Sequence, residues 1–335
     1  MPKRIRWRPN TPAVTLIVIS PFIGEVLNGA TRISYIFAFL PQLMVWGCGA
    51  LIIREIAHRW RAGWPTIIML GLTLSLVAEV LVLQTSVAPL PWLQMMSIPL
   101  SDRIWGVNWL WLAFMLGYET IWIVVVPILI TELIFPQQRQ EAWLRRRGLI
   151  VAAVVFTLGC AALWAIWTQT AVPIAFHQPK YWPPRSTLLA GVVAALLTIA
   201  AAYALRGVSS NADARRRAPS PWIVGIAAAA FAFPWWILIV LVFAPQPSLP
   251  IWLPLAAAPI WAWASYVVIA RWSAAQGWNE RHRWALAFAS LAICMLMGYL
   301  GSSFWPKIDL IAKIVFNAIA VVWMLLLGRR VWQRS

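Results

Sequence analysis

Three glutamates, Glu25, Glu79 and Glu119, sit deep inside long apolar stretches of the sequence. An acid at the centre of a membrane helix costs about 2.5–3.5 kcal/mol on insertion scales unless it is protonated or paired. At ~1.5 Å per residue, the three reach similar depth in their stretches. Polar residues accompany them at helical spacing: Pro21 and Asn28 with Glu25, Ser75 and Ser86 with Glu79, and Asn108 and Met115 with Glu119. Gln42 lies at comparable depth in the second stretch. Pro21 has no N–H, so it frees a carbonyl one turn before Glu25. The pattern predicts an acidic pocket between the first four stretches. It would bind a small cation or a proton through Glu25, Glu79, Glu119, Asn28, Gln42 and Asn108. The alternative is that the acids are protonated and hydrogen-bond across helices as packing groups.

A second cluster, Arg54, Glu55, His58 and Arg59, ends the second stretch, and Glu132 ends the fourth. It reads as an interfacial charge network that fixes helix ends. Glu55-x-x-His58 is one copy of a di-iron spacing that requires two copies and further glutamates. Cys48, Cys160 and Cys294 lie in apolar stretches without CxxC spacing, which predicts buried small side chains and no metal site. There is no Walker loop, Rossmann glycine pattern, HExxH or Gly-x-Ser-x-Gly, so no cofactor is expected and an enzyme is not the first reading. Gly24, Gly29, Gly47, Gly49 and Gly71 fit close helix packing.

The elements that must position these residues are membrane helices. The chain has 335 residues, 62% hydrophobic and 11% charged, against about 25% charged in a soluble domain. Lipid must therefore be its main solvent. The predicted fold is an all-α polytopic integral membrane bundle of about ten transmembrane helices. Their ranges are 12–30, 34–58, 65–87, 107–135, 149–169, 186–206, 221–243, 250–270, 284–303 and 308–328. Thr11-Pro12, Trp64-Pro65 and Ser220-Pro221 mark starts, because proline at the first helical position misses no hydrogen bond. Lys3, Arg4, Arg6 and Arg8 precede the first helix, which reads as retained and not as a cleaved signal.

Of the 27 Lys and Arg, 21 fall in alternate gaps and five in the others, with Lys313 inside the tenth stretch. The asymmetry places both termini in the cytoplasm. It also accounts for the net charge of +17 as attraction to an anionic membrane surface, and no nucleic-acid partner is expected. Many of the tryptophans, among them Trp92, Trp284 and Trp305, flank the apolar runs as interfacial anchors. The deep acids divide the chain into residues 1–148, a four-helix region carrying them, and 149–335, a six-helix Ala/Trp-rich region. Residues 207–220 read as a solvated cytoplasmic linker, with Ser209, Ser210 and Asn211 in it.

Glu55-x-x-x-Arg59 resembles a fragment of the motif of glutamate-type (CPBP) intramembrane proteases. Arg54 stands where that motif has its first glutamate, and the family's Phe-x-x-x-His and His-x-x-x-Asn partners are missing. Residues 20–135 resemble a family of bacterial multi-pass membrane proteins with no established activity. The resemblance rests on Ser20-Pro21-Phe22-Ile23-Gly24-Glu25, Gly63-Trp64-Pro65-Thr66 and Gly106-Val107-Asn108-Trp109. It implies a bacterial cytoplasmic (inner) membrane. The first functional reading is a cation- or proton-coupled transporter of a small molecule. An intramembrane hydrolase with a glutamate base and a non-catalytic membrane scaffold are the alternatives.

Overall fold

Proline, glycine and short polar caps set the helix starts. Ser220 precedes Pro221 and its hydroxyl accepts the Ile223 N–H at 3.5 Å. Asn279 and His282 form a reciprocal capping box at a helix that starts at Glu280, four residues before the range read from sequence. Thr11 is the first helical residue and not the cap; Asn10 precedes it.

The computed structural model describes residues 10–88, 103–177, 180–208, 213–242 and 249–334. Lys3, Arg4, Arg6, Arg8, Trp92, Ser209, Ser210 and Asn211 lie outside the described residues. Each of the ten predicted ranges holds a helix. We label these α1 (Thr11–Leu27), α2 (Ile33–Arg59), α3 (Trp64–Val82), α4 (Trp109–Ile134) and α5 (Arg146–Ile174). They continue with α6 (Arg185–Gly207), α7 (Pro221–Val242), α8 (Trp252–Ser273), α9 (Glu280–Met297) and α10 (Lys307–Arg334). Eight are long and apolar enough to cross a membrane. Of the other two, α1 is shorter, and α9 opens on Glu280, Arg281 and Arg283. The protein is an all-α helical bundle of membrane character.

Helix α4 is the hub. Its apolar window is 67% buried, against 6% for that of α8. One apolar cluster joins α4 to α1, α7, α8, α9 and α10 through residues such as Tyr118, Trp122, Trp236 and Leu291. A second joins it to α1, α2, α3, α5 and α6 through Leu16, Trp46, Leu70 and Ile128. Both clusters draw on residues before and after position 148. Helices α5, α6, α7, α8 and α10 expose rows of large apolar side chains, such as Val154, Leu197, Ile226, Ile260 and Ile319, where a lipid-facing ring belongs.

Between helices, lipid provides no hydrophobic drive, so close packing and polar contacts must hold the bundle. Gly47 of α2 lies against the Ile17 backbone of α1. That carbonyl is one Pro21 cannot bond. Gly24 of α1 is pressed on Ile123 of α4. Trp284, read as an interfacial anchor, is buried; its indole lies against Gly328 and donates to the Met324 carbonyl at 2.9 Å. An indole N–H can be buried wherever a helix offers it a carbonyl. Within the 207–220 linker, Asp213–Arg217 pairs in parallel with Ala275–Gln276, the one two-stranded sheet among the described residues.

The α1–α2 crossing gives a direct test. Gly47→Val forces a branched side chain onto the Ile17 backbone and should cost about 1–3 kcal/mol or more. Gly207→Val, where nothing lies within 4 Å, should leave the thermal midpoint unchanged. Equal midpoints for both variants in detergent would refute the close crossing.

Candidate functional site

The helices that carry the three acids are locally underwound. Phe22–Leu27, Val77–Val82 and Glu119–Val125 are π-helical, and they contain Glu25, Glu79 and Glu119 respectively. Such segments cost regular hydrogen bonding and concentrate at functional positions. The cause is readable in part for α4. Pro127 lacks an N–H, so it cannot serve the Ile123 carbonyl one turn back. The buried Ser20 hydroxyl of α1 takes its place, 2.7 Å from that carbonyl and 3.1 Å from the Trp46 carbonyl of α2. One hydroxyl thus ties three helices at the level of the acids.

Glu25 is half-buried. Its Oε2 accepts from the Thr31 hydroxyl and from Gln42 Nε2, each at 3.3 Å. Gln42 Nε2 also donates to Thr31 Oγ1 at 2.6 Å, and the Thr31 N–H closes on the Glu25 carbonyl at 2.9 Å. Glu79 is fully buried. Its Oε2 accepts from the Thr85 hydroxyl, from the Ser86 hydroxyl at 3.1 Å and from the Trp111 indole at 3.2 Å. Its Oε1 has no hydrogen-bond partner. Glu119 is 1% exposed, and its Oε2 likewise has no partner. The three carboxyls are electrostatic neighbours: Glu119 feels Glu79 and Glu25, and Glu25 feels Glu79.

Two of these sites are built alike. Glu25 and Glu79 each bond a threonine six residues on, and each takes a further donor from the next helix, Gln42 of α2 or Trp111 of α4. The sequence carries the signal as a repeated Glu-Val-Leu-x-x-x-Thr, at 25–31 and 79–85. Thr31 and Thr85 are the residues that helical spacing missed, because they lie past the helix ends.

Two residues expected in the pocket are placed elsewhere. Asn28 turns to α9, where its amide reaches the Cys294 carbonyl at 3.5 Å. Asn108 does not lie inside α4; it is the N-cap, and its Oδ1 accepts the Trp111 N–H at 3.0 Å. The chain enters α4 through Gly106, at φ 77°, so the helix begins later than its apolar run. Ser75 bonds the Met115 carbonyl at 3.0 Å. Arg32 and Arg103 do not pair with the glutamates. Arg103 donates to the carbonyls of Val87 and Ala88 and clamps the turn that carries Thr85 and Ser86. Burial draws its guanidinium below the ordinary value, and the nearby Tyr181 opposes this.

The charged cluster at the ends of α2 and α4 splits in two. Glu55, fully buried, takes Arg54 at 2.9 Å on Oε1 and Arg59 at 2.7 Å on Oε2. The N–H groups of Trp143 and Leu144 complete its bonds at 2.9 and 3.3 Å. Arg54 also donates to the carbonyls of Arg139 and Glu141 at 2.7 and 2.6 Å and lies 3.7 Å over the Trp143 ring. His58 reaches the Gln140 carbonyl at 2.8 Å. These residues brace the α4–α5 connection, and both Glu55 oxygens are occupied. Glu132 is not bonded to them; it pairs with Arg283 of α9.

Beyond the predicted acids, Asp309 and Lys313 of α10 are 1% and 3% exposed. Lys313 Nζ donates to the carbonyls of Leu27 and Asn28 at 2.7 Å each and of Met295 at 3.3 Å, and lies 4.4 Å from the Tyr299 ring centroid. It caps the ends of α1 and α9 at once, where a cation suits the helix dipole. Asp309 Oδ1 accepts from the Ser34 N–H at 3.0 Å and from its hydroxyl. Arg32 lies 3.9 Å from Oδ2.

Among the described residues, no group of three or more His, Cys, Asp or Glu is placed to hold a metal ion. The chain matches no family model, no curated protein and no solved structure.

The Glu55 network yields a stability prediction. Glu55→Ala strands the buried Arg54, and breaking such a pair costs about 3–5 kcal/mol. Glu55→Ala should lower the thermal midpoint far more than Glu280→Ala, whose side chain is outside the network. A shift no larger than that of Glu280→Ala would contradict the bracing role.

Proposed function

We propose that the protein is a proton-coupled transporter of a small molecule, in which Glu25, Glu79 and Glu119 take up and release protons. In this reading ten helices span a bacterial cytoplasmic membrane with both termini inside, and the C-terminal ends of α1 and α3 and the N-terminal end of α10 face outward. The observation that carries it is the pair of buried carboxyl oxygens, Glu79 Oε1 and Glu119 Oε2, that have no hydrogen-bond donor. Uncompensated charge in a low-dielectric interior is too costly to persist, so a proton is the available compensation. Glu25 Oε2 and Glu79 Oε2 support the same choice. They face amide, indole and hydroxyl donors, whose positive ends disfavour a metal cation on the same atom. A hydrolase is less well supported, since His58 and His282 bond backbone carbonyls away from the acids.

Infrared spectroscopy of the full-length protein in lipid tests this. Between about pH 9 and about pH 5, carboxylic C=O bands should grow as pH falls, as carboxylates become acids. Glu25→Gln, Glu79→Gln and Glu119→Gln should each remove part of that change. Bands that stay constant across the window, with folded glutamine variants, would leave the acids as packing groups and the protein as a scaffold.

A further inference from the structure

A small cleft with a cavity volume of about 10 Å³ lies where α1 ends and α10 begins. Thr31, Arg32, Trp305, Asp309 and Lys313 line it. That volume is room for about one water molecule or hydronium, and far too little for an ordinary organic ligand. Its polar groups are unequally committed. Lys313 is spent on three carbonyls. Asp309 has a side chain with no exposed surface, yet its Oδ2 lacks a hydrogen-bond donor. Arg32, 32% exposed in its side chain, stands 3.9 Å from that oxygen. Its guanidinium lies 5.4 Å from the Trp305 ring and 5.6 Å from the Tyr35 ring. Thr31 belongs to both places: it lines the cleft, and its hydroxyl donates to Glu25.

Resting on the proton-coupled reading, we propose that this cleft is the outward mouth through which water-borne protons reach Glu25. Asp309 is the outermost carboxyl, Arg32 its gate, and Thr31 the hydroxyl that carries the proton inward. In the transfer, an O–H bond of hydronium in the cleft breaks and a new O–H bond forms on Thr31 Oγ1. The original Thr31 O–H bond breaks and its proton bonds Glu25 Oε2. Hydronium becomes water, the carboxylate becomes the acid, and threonine is regenerated. Gln42 Nε2 at 2.6 Å keeps the hydroxyl oriented toward the acid. The other titratable groups facing Glu25 are Glu79 of α3, Tyr118 and Glu119 of α4 and Cys294 of α9. Those facing Asp309 are Arg32 and Lys313.

Hydrogen–deuterium exchange of carboxyl groups, followed by infrared spectroscopy after a switch to D2O, reads the route. The Glu25 band is assigned from Glu25→Gln and the Glu79 band from Glu79→Gln. Thr31→Val keeps the shape and removes the hydroxyl, a loss worth a hydrogen bond. It should slow Glu25 exchange by about tenfold or more and leave Glu79 exchange unchanged. Thr31→Ser should restore the wild-type rate. Asp309→Asn leaves Ser34 its acceptor and should also slow Glu25 exchange, which keeps the test open if Thr31→Val does not fold. Wild-type Glu25 exchange in Thr31→Val or in Asp309→Asn overturns the mouth while leaving the titrating bands, and so the proton-coupled reading, intact. Absence of any acid band assignable to Glu25 overturns both.

Discussion

Inside a bilayer there is no water to take an unused backbone carbonyl, so every break in a helix must bring its own partner. This constraint organises the protein. The Ile123 carbonyl that Pro127 cannot serve is met by the Ser20 hydroxyl. The last carbonyls of α1 and α9 are met by one ammonium, that of Lys313. The Glu25 carbonyl is met by the N–H groups of Gly29 and Thr31. In each case the polar side chain sits where the helix is irregular, because only there is a backbone group unspent. The candidate site and the means of holding the bundle together are therefore built from the same residues.

The same constraint explains what could be read from sequence. Helix positions were legible, since a run of about 20 apolar residues has few other folds. So was the role of Gly24, Gly47, Gly49 and Gly71, each of which faces a side chain or backbone of another helix. Side-chain direction was not legible. Asn28 shares a helical face with Glu25 by spacing, yet the π-helical turn through Phe22–Leu27 shifts the register and Asn28 bonds Cys294. Asn108 looked like a pocket residue inside an apolar run, but a capping asparagine has the same composition signature as a buried one. Thr31, Thr85 and Asp309 lie past helix ends or at a helix start, where periodicity carries no information. Glu132 was grouped with Arg54 by its position at a helix end; α9 supplied Arg283 instead, and no local pattern reports which distant helix will be adjacent.

The repeated Glu-Val-Leu-x-x-x-Thr also shows how one local solution can serve two ends. In both copies the acid holds its own chain reversal through a threonine and takes one more donor from the following helix. The surroundings then differ. The turn after Glu79 is closed by Arg103 on the Val87 and Ala88 carbonyls and by the Tyr181 hydroxyl, 3.1 Å from the Val87 carbonyl. The turn after Glu25 borders the cleft between α1 and α10. One copy is closed over by Arg103 and Tyr181, and the other borders the cleft.

Glu119 completes the set by lacking what the other two have. The residue six positions on is Val125, so no hydroxyl folds back on it, and α4 continues through it without a turn. Its carboxyl feels both Glu25 and Glu79. Coulomb repulsion falls slowly with distance in a dry interior, so a charge on any one of the three raises the cost of charging the others. The three acids are therefore electrostatically linked and not independent residues. A change of charge at any one of them bears on the other two without any side chain having to travel between them.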